Sequence, residues 1–312
     1  METSSRQIYP KGIAWFIASL MICETNDVIT KLLEESLSPL QVIWGRFFFS
    51  TLVLLPLMFF YRASFRSQHL GINFLRGGIL FIGMFIWCYG LDASQLSIAC
   101  LINFTTPMFT LILAALILKE KISKARIKAT LIGFLGVAVA LNPRTASFST
   151  ATASLFLLSA LFFAMLDILN KKLVTEETTL GSLFFTGFFT MLCTLGVMFC
   201  LNDATHSLTG IFTTSWQNIM LLALLGIGAN FLLFFILKSL SYVDVSATAP
   251  FRYVELILAS VFGYLFFDEK ISINVILGAV IIIPSVIYLV RCEVKIAQKY
   301  NHAERRAPTH CC

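Results

Sequence analysis

Charge is what this sequence has least of. Only 13% of its 312 residues are Asp, Glu, Lys or Arg, where soluble domains carry roughly 25%. With 58% apolar residues beside so little charge, a water-soluble fold is excluded, because it would have too few polar side chains to cover that much apolar surface. Histidine is scarce as well. The four present, His69, His206, His302 and His310, fall in predicted loops or tails. No Gly-rich phosphate loop follows a strand pattern, and no Ser or Cys has a base in view, so the usual enzyme signatures are missing and no cofactor is implied. Eight Cys show no paired spacing; Cys23, Cys88, Cys100, Cys193 and Cys200 lie inside apolar runs, where Cys behaves as a small hydrophobe. They argue for neither disulfides nor a metal. The tail His310-Cys311-Cys312 is a weak metal or lipidation signal and reads better as a polar tail. The net charge of +6 could suggest nucleic acid, but the basic residues form short clusters between apolar runs and no continuous patch.

What fills the chain instead is long apolar runs, with thirty Phe and only eight Pro. They span 12–33, 39–60, 74–92, 95–118, 127–142, 151–173, 180–201, 216–239, 243–267 and 273–291, each about the 20 residues needed to cross a bilayer. The first is too long for a signal-peptide core and no small-residue cleavage site follows, so it reads as a retained span. The expected class is an all-α integral membrane protein of ten transmembrane helices, with a tail at 1–11 and a basic tail at 292–312. Ten spans put both termini on one side. Eighteen Lys and Arg, from Arg6 and Lys11 to Arg305 and Arg306, fall on that side, and only Lys31, Arg144 and Lys270 on the other. The positive-inside rule makes the termini cytoplasmic.

The halves 12–142 and 151–291 resemble each other. Asp27-Val28-Ile29-Thr30-Lys31 ends helix one, and Asp167-Ile168-Leu169-Asn170-Lys171 ends helix six; Glu120-Lys121-Ile122-Ser123 follows helix four, and Glu269-Lys270-Ile271-Ser272 follows helix nine. Five helices per copy is an odd number, so the second copy enters the membrane upside down. Two inverted five-helix repeats are the layout of many secondary transporters, whose site lies near the midplane between the repeats.

Charges inside these runs are the candidate site. Glu24, Asn26 and Asp27 stand in span one, Arg46 in span two, Asp167 and Asn170 in span six, and Arg252 and Glu255 in span nine. A central charge costs roughly 2.5–3.5 kcal/mol on the insertion scale, against about 0.3–0.6 returned by each Leu, Ile or Phe. Such groups must face the bundle interior, water or each other. Glu24 and Asp27 are three apart, as are Arg252 and Glu255, so each pair shares a helical face. Two readings stay open: buried ion pairs, Arg252 to Asp27 or Arg46 to Glu255, that knit the bundle, or groups that bind a polar solute. Glu24, Arg252 and Glu255 fall closest to the midplane. Aligning the two Glu-Lys-Ile-Ser turns sets Asn103 against Arg252 and Thr106 against Glu255. Pro107 and Pro250 interrupt helices four and nine, and the freed carbonyls need a cavity or a neighbour. Trp44, Trp87, Tyr89 and Tyr253 are rings near this level that could stack on a flat or cationic ligand, or pack on lipid. Gly77, Gly78, Gly133, Gly136, Gly226 and Gly228 read as close helix contacts.

Two copies of five spans with Arg46-Phe47-Phe48, Thr106-Pro107 and acidic turns at Glu120 and Glu269 resemble the drug/metabolite transporter superfamily of EamA type, over residues 12 to about 291. Within it, Asn26-Asp27-Val28, Asn170-Lys171-Lys172, Ala247-Thr248-Ala249-Pro250, Arg252-Tyr253 and Glu255-Leu256 are most similar to the S-adenosylmethionine uptake transporters of obligate intracellular bacteria. The resemblance implies import of S-adenosylmethionine across a bacterial inner membrane, with exchange for S-adenosylhomocysteine as a further implication. It makes Glu24, Asp27, Arg46, Asn103, Asp167, Asn170, Arg252, Tyr253 and Glu255 the candidate substrate-binding set. Arg suits a bidentate carboxylate contact, and acidic or aromatic groups suit a sulfonium. An exporter of amino acids or drugs on the same fold is the alternative, because a zwitterionic amino acid would satisfy much of the same set.

The distribution of Lys and Arg generates a topology prediction. A Cys placed at position 299 is expected to resist an impermeant thiol reagent in intact cells, and a tag in the loop around Asp203 and His206 to be reached from outside. Labelling at 299 in sealed cells would overturn the orientation.

Overall fold

The computed structural model describes residues 5–34, 36–61, 69–92, 101–142, 150–201, 209–211, 213–268 and 270–306, with backbone alone for 5–8, 88–92, 150–152 and 296–306. Every regular element among these residues is helical: α1 (Ser5–Glu34), α2 (Pro39–Phe60), α3 (Leu70–Asp92), α4 (Thr106–Ile117), α5 (Lys124–Leu141), α6 (Thr150–Leu173), α7 (Thr179–Cys200), α8 (Trp216–Leu240), α9 (Val245–Thr248), a 3-10 turn (Ala249–Tyr253), α10 (Val254–Phe267) and α11 (Ile273–Arg306). Short polar linkers start the helices sharply. Ser38 and Gln41 form a reciprocal capping box at the start of α2, and Ser123, Thr178 and Ser215 each accept a backbone N–H at the starts of α5, α7 and α8, satisfying donors that have no partner within the helix.

Among the described residues, eight helices are long and apolar enough to cross a bilayer, with Val245–Phe267 counted as one. Two segments expected as spans fall short of that standard, each for a visible reason. The fourth is broken at Phe104–Thr105 and leaves only the shorter apolar stretch Leu101–Ile117. The fifth, α5, carries Lys124, Arg126 and Lys128 in its first two turns. Helix breaks also occur where Pro250 enters the 3-10 turn between α9 and α10. The last helix runs further than expected: the basic segment 292–306 continues α11, so the tail read from composition is helical as far as Arg306. The tripeptide 310–312 lies outside the described residues.

Helix packing pairs the two halves reciprocally. α1 packs on α8 while α3 packs on α6; α1 also meets α10 while α6 meets α4; α2 lies against α7 and α5 against α11. At the α5–α11 crossing the backbones come so close that a Cβ on Gly278 would stand 2.6 Å from the carbonyl oxygen of Gly136, so only a residue without a side chain fits, as at small-residue crossings in membranes. Outward-facing side chains such as Phe59, Phe60, Leu116 and Ile273 are largely exposed and form an apolar rim suited to hydrocarbon. Polar groups turn inward. Arg76 of α3 is fully buried and donates to the Ser182 carbonyl at 2.8 Å and to the Thr186 hydroxyl of α7, while Thr190 donates to the Gly77 carbonyl at 3.2 Å.

Candidate substrate site

Arg252 and Glu255 reach the interior because the chain is broken by a 3-10 turn just before α10. The 3-10 turn after Pro250 ends at Tyr253, so Arg252 leaves the turn and Glu255 begins α10. Arg252 reaches α6, where its Nη2 donates to both carboxylate oxygens of Asp167, at 2.7 and 2.8 Å. Thr110 of α4 donates to the same carboxylate at 3.3 Å. Neither of the ion pairs expected from spacing is the one formed: Arg252 pairs with Asp167, across α6 and the turn, instead of with Asp27. Only one arm of the guanidinium is used there. Among the described residues no partner is found for Arg252 Nη1 or Nε, and the side chain borders an open space.

That space is a cavity of about 490 Å³, within the range of small-molecule sites. One face of α1 supplies Glu24, Asp27, Val28, Lys31 and Glu34; the second half supplies Arg252, Glu255, Leu256 and Phe262; Asn103, Thr106 and Pro107 close one side, and Trp87 and Phe163 offer rings. The span from Glu24 to Glu34 is about 15 Å along the axis at 1.5 Å per residue, so the cavity runs from mid-helix to the C-terminal end of α1. Lys31 sits 4.0 Å from the centre of the Phe267 ring at that end. Cys23, Asp27 and Glu255 bring their ligand atoms within 4.8 Å of one another, and Asp27 accepts a weak contact from the Cys23 thiol at 3.9 Å.

Of the nine candidate residues, Glu24, Asp27, Asn103, Arg252 and Glu255 therefore line the cavity and Asp167 holds Arg252 from behind. Arg46, Asn170 and Tyr253 are absent from the lining. Arg46 lies within electrostatic reach of Asp27 and has its Nε buried without a partner. Asn170 is buried, and its Oδ1 has no partner among the described residues. Tyr253 is fully buried against Gly133, where any Cβ would collide with its ring, and beside Phe104 at 6.2 Å. Of the aromatic candidates only Trp87 borders the cavity; Trp44 stacks on Phe48 at 4.8 Å, and the Tyr89 side chain lies outside the described residues.

A second polar cluster lies beside Tyr9 at the opposite end of α1 and was not recognised from sequence. Arg126 at the start of α5 is buried and grips Glu293 of α11 with two bonds, Nε to Oε1 at 2.9 Å and Nη2 to Oε2 at 3.1 Å. Its Nη1 donates to Asp244 at 3.1 Å and Ser246 at 2.6 Å. Glu120 accepts the backbone N–H groups of Val245 and Ser246, both at 3.1 Å, and Lys171 donates to the carbonyls of Leu240 and Val243, both at 2.7 Å. The segment 240–246 is thus pinned from α5, α6 and the turn after α4, and Glu293 of α11 holds Arg126 in place. From sequence, Arg126 reads as one of the eighteen basic residues on the terminal side, in the linker just before the run 127–142. The signal that could have revealed its partner is Glu293, an acid directly after an apolar run.

A bundle of membrane-length helices around a polar, ring-lined cavity fits a membrane transporter. The comparisons with known proteins name the kind: the EamA-like transporter family matches residues 10–142 and 150–291, and the chain belongs to that family. Similar proteins include the S-adenosylmethionine uptake transporter of Rickettsia prowazekii (strain Madrid E), 39% identical over 92% of this chain and 95% of the relative, and that of Rickettsia bellii (strain RML369-C), 37% identical over 93% and 97%. A riboflavin transporter of Vibrio cholerae is 28% identical over 93% and 96%. A solved crystal structure superposes with a TM-score of 0.72 at 14% identity, covering 93% of this chain and 99% of that one, a likeness of fold.

The Arg252–Asp167 pair generates a prediction that separates holding from binding. Asp167→Asn and Arg252→Gln are each expected to lower stability by about 3–5 kcal/mol, the usual penalty for stranding one buried partner. The double variant should recover much of that loss in thermal melting of the purified protein yet remain inactive in transport. An active double variant would show that the pair only supports the bundle.

Proposed function

We propose that this protein imports S-adenosylmethionine across a bacterial inner membrane by alternating access, with S-adenosylhomocysteine as counter-substrate. One observation carries the reading: a single cavity presents a guanidinium with a free arm, three clustered carboxylates and aromatic rings. These are complementary to a carboxylate, to the ammonium and sulfonium cations, and to an adenine. The names of the relatives that share 37–39% of residues over nearly the whole chain support the same ligand. In this reading Glu24, Asp27, Asn103, Arg252 and Glu255 contact substrate and Asp167 aims Arg252. Arg46, Asn170 and Tyr253 come into reach only when the other end opens.

The architecture proposed for this work is ten spans in two inverted repeats, 12–142 and 151–291, with cytoplasmic termini. Reciprocal helix pairing between the halves supports it, as does one backbone detail. Lys119 and Asp268, equivalent when the Glu-Lys-Ile-Ser turns are aligned, both adopt a left-handed conformation, with φ of 55° and 53°. With the termini inside, the cavity faces outward and the Arg126 network is a cytoplasmic latch. In the same alignment Arg126 matches Val275, which cannot form an ion pair, so the outer end has no equivalent clamp from that position. Substrate release then requires the Arg126–Glu293 contact to part.

Two measurements test this. Cells lacking such a carrier and expressing this chain should accumulate labelled S-adenosylmethionine; S-adenosylhomocysteine, methionine, ATP and riboflavin serve as competitors. No uptake above the empty strain, or stronger competition by riboflavin than by unlabelled substrate, would remove the assignment. For the latch, Glu293→Gln is expected to raise the reactivity of a Cys at position 247 toward reagents added from the cytoplasmic side of inverted vesicles, while leaving a Cys at position 34 no more accessible from outside. Unchanged reactivity at 247 would remove the latch.

A further inference from the structure

The cavity wall has an uneven balance of charge. Its carboxylates are Glu24, Asp27, Glu34 and Glu255, and its cations are Lys31 and Arg252. Arg252 is already neutralised by Asp167 at 2.7 Å. Lys31 lies at the mouth over Phe267, a helical turn or more away from Glu24 and Asp27. The inner half of the cavity therefore holds Glu24, Asp27 and Glu255, against which Arg46 stands within electrostatic reach of Asp27 alone, so that carboxylates outnumber the cations left to balance them. Glu255 and Asp27 approach from opposite helices, α10 and α1, and flank the Cys23 thiol. Burying such a set without compensation is unfavourable, and a bound cation is the compensation the geometry leaves room for.

We infer that the outward-facing cavity selects its ligand by net positive charge and that Glu255, working with Asp27, is the specificity-determining residue. The inference rests on the proposed transport function but is narrower. It holds that a sulfonium or quaternary cation is preferred to the uncharged thioether of the same shape. The substrate's carboxylate takes the free arm of Arg252 and its extra cation lies between Glu255 and Asp27. The ring faces of Trp87 and Phe163 also favour a cation, so the part played by Glu255 is read from the change that its own substitution brings. Because discrimination comes from surplus acidic charge and from no shape difference, it is a form of selection by penalty: a neutral ligand leaves that surplus uncompensated.

The test uses the purified full chain in detergent and two pairs of ligands that differ in charge but little in shape. These are S-adenosylmethionine against S-adenosylhomocysteine, and S-methylmethionine against methionine. Wild-type protein is expected to bind the cationic member of at least one pair more tightly by about tenfold or more, the change that one partly shielded charge contact brings. Glu255→Gln should bring that ratio to within about threefold of unity, mainly through weaker binding of the cation, and Glu255→Asp should retain part of it. Should Glu255→Gln fail to yield folded protein, Asp27→Asn carries the same measurement. A wild type that prefers no cationic member overturns the charge rule, and so does a ratio untouched by the substitution. Preference for S-methylmethionine without any binding of the adenosyl compounds would keep the charge rule and discard the proposed substrate.

Discussion

A bilayer cannot solvate a charge, and this constraint orders the whole molecule. Arg76, Arg126, Asp167 and Glu293 are all buried, and each is answered by a partner on a different helix. An unanswered charge at the midplane would remove a large part of a helix's insertion energy. The pairs therefore fix which helices must lie side by side. Asp167 brings α6, α4 and the turn before α10 together at one level, and Arg126 does the same for α5, α9 and α11. Apolar packing fills the spaces between but does not choose among partners, since lipid is as apolar as Leu.

The breaks in helices are the second consequence. A straight helix at 249–253 would give Arg252 and Glu255 a regular placement on one face. The 3-10 turn tightens the backbone there, and Tyr253 is buried under Gly133 while Arg252 and Glu255 emerge toward the cavity. Pro107 stands at the start of α4 beyond the turn at Phe104–Thr105, which brings Asn103, Thr106 and the proline ring to the cavity wall. Irregular backbone at membrane depth is tolerated where it lines a cavity, and here it does.

Much of this was legible in the sequence. Apolar run length gave eight of the ten expected spans among the described residues, and the cost of intramembrane charge singled out Glu24, Asp27, Arg252 and Glu255, all of which border the cavity. What could not be read was who meets whom. The spacing of Asp27 and Arg252 within their own helices says nothing about which helices touch, so the Arg252–Asp167 pair was missed although both members were named. Tyr253 was chosen for its ring and its place beside Arg252. Yet a 3-10 turn rotates neighbouring residues by about a third of a turn each, and that sends its ring to the core. Arg126 and Arg76 were hidden for a different reason: a basic residue near the end of an apolar run looks like a solvated anchor until the packing shows it enclosed.

The two polar clusters differ in kind, and the difference bears on how a carrier of this design can move. The cluster around Arg126 is complete in itself: Glu293, Asp244 and Ser246 answer its guanidinium, so as the proposed latch it needs no ligand to hold. The cavity cluster is incomplete, with one arm of Arg252 and three carboxylates open to an occupant. Binding can change the equilibrium between two conformations only through contacts that differ between them. In an unloaded carrier the satisfied latch favours the state in which its own end is closed, and nothing in the cavity opposes it. A ligand that joins α1 to the Arg252 turn draws those elements together across the open end. Because α1 packs on α10 and α11, and α11 carries Glu293, the proposed cycle has that same closure load the latch from the far side. In that cycle the ligand supplies the free energy that an empty cavity lacks, which would couple release at one end to occupancy at the other.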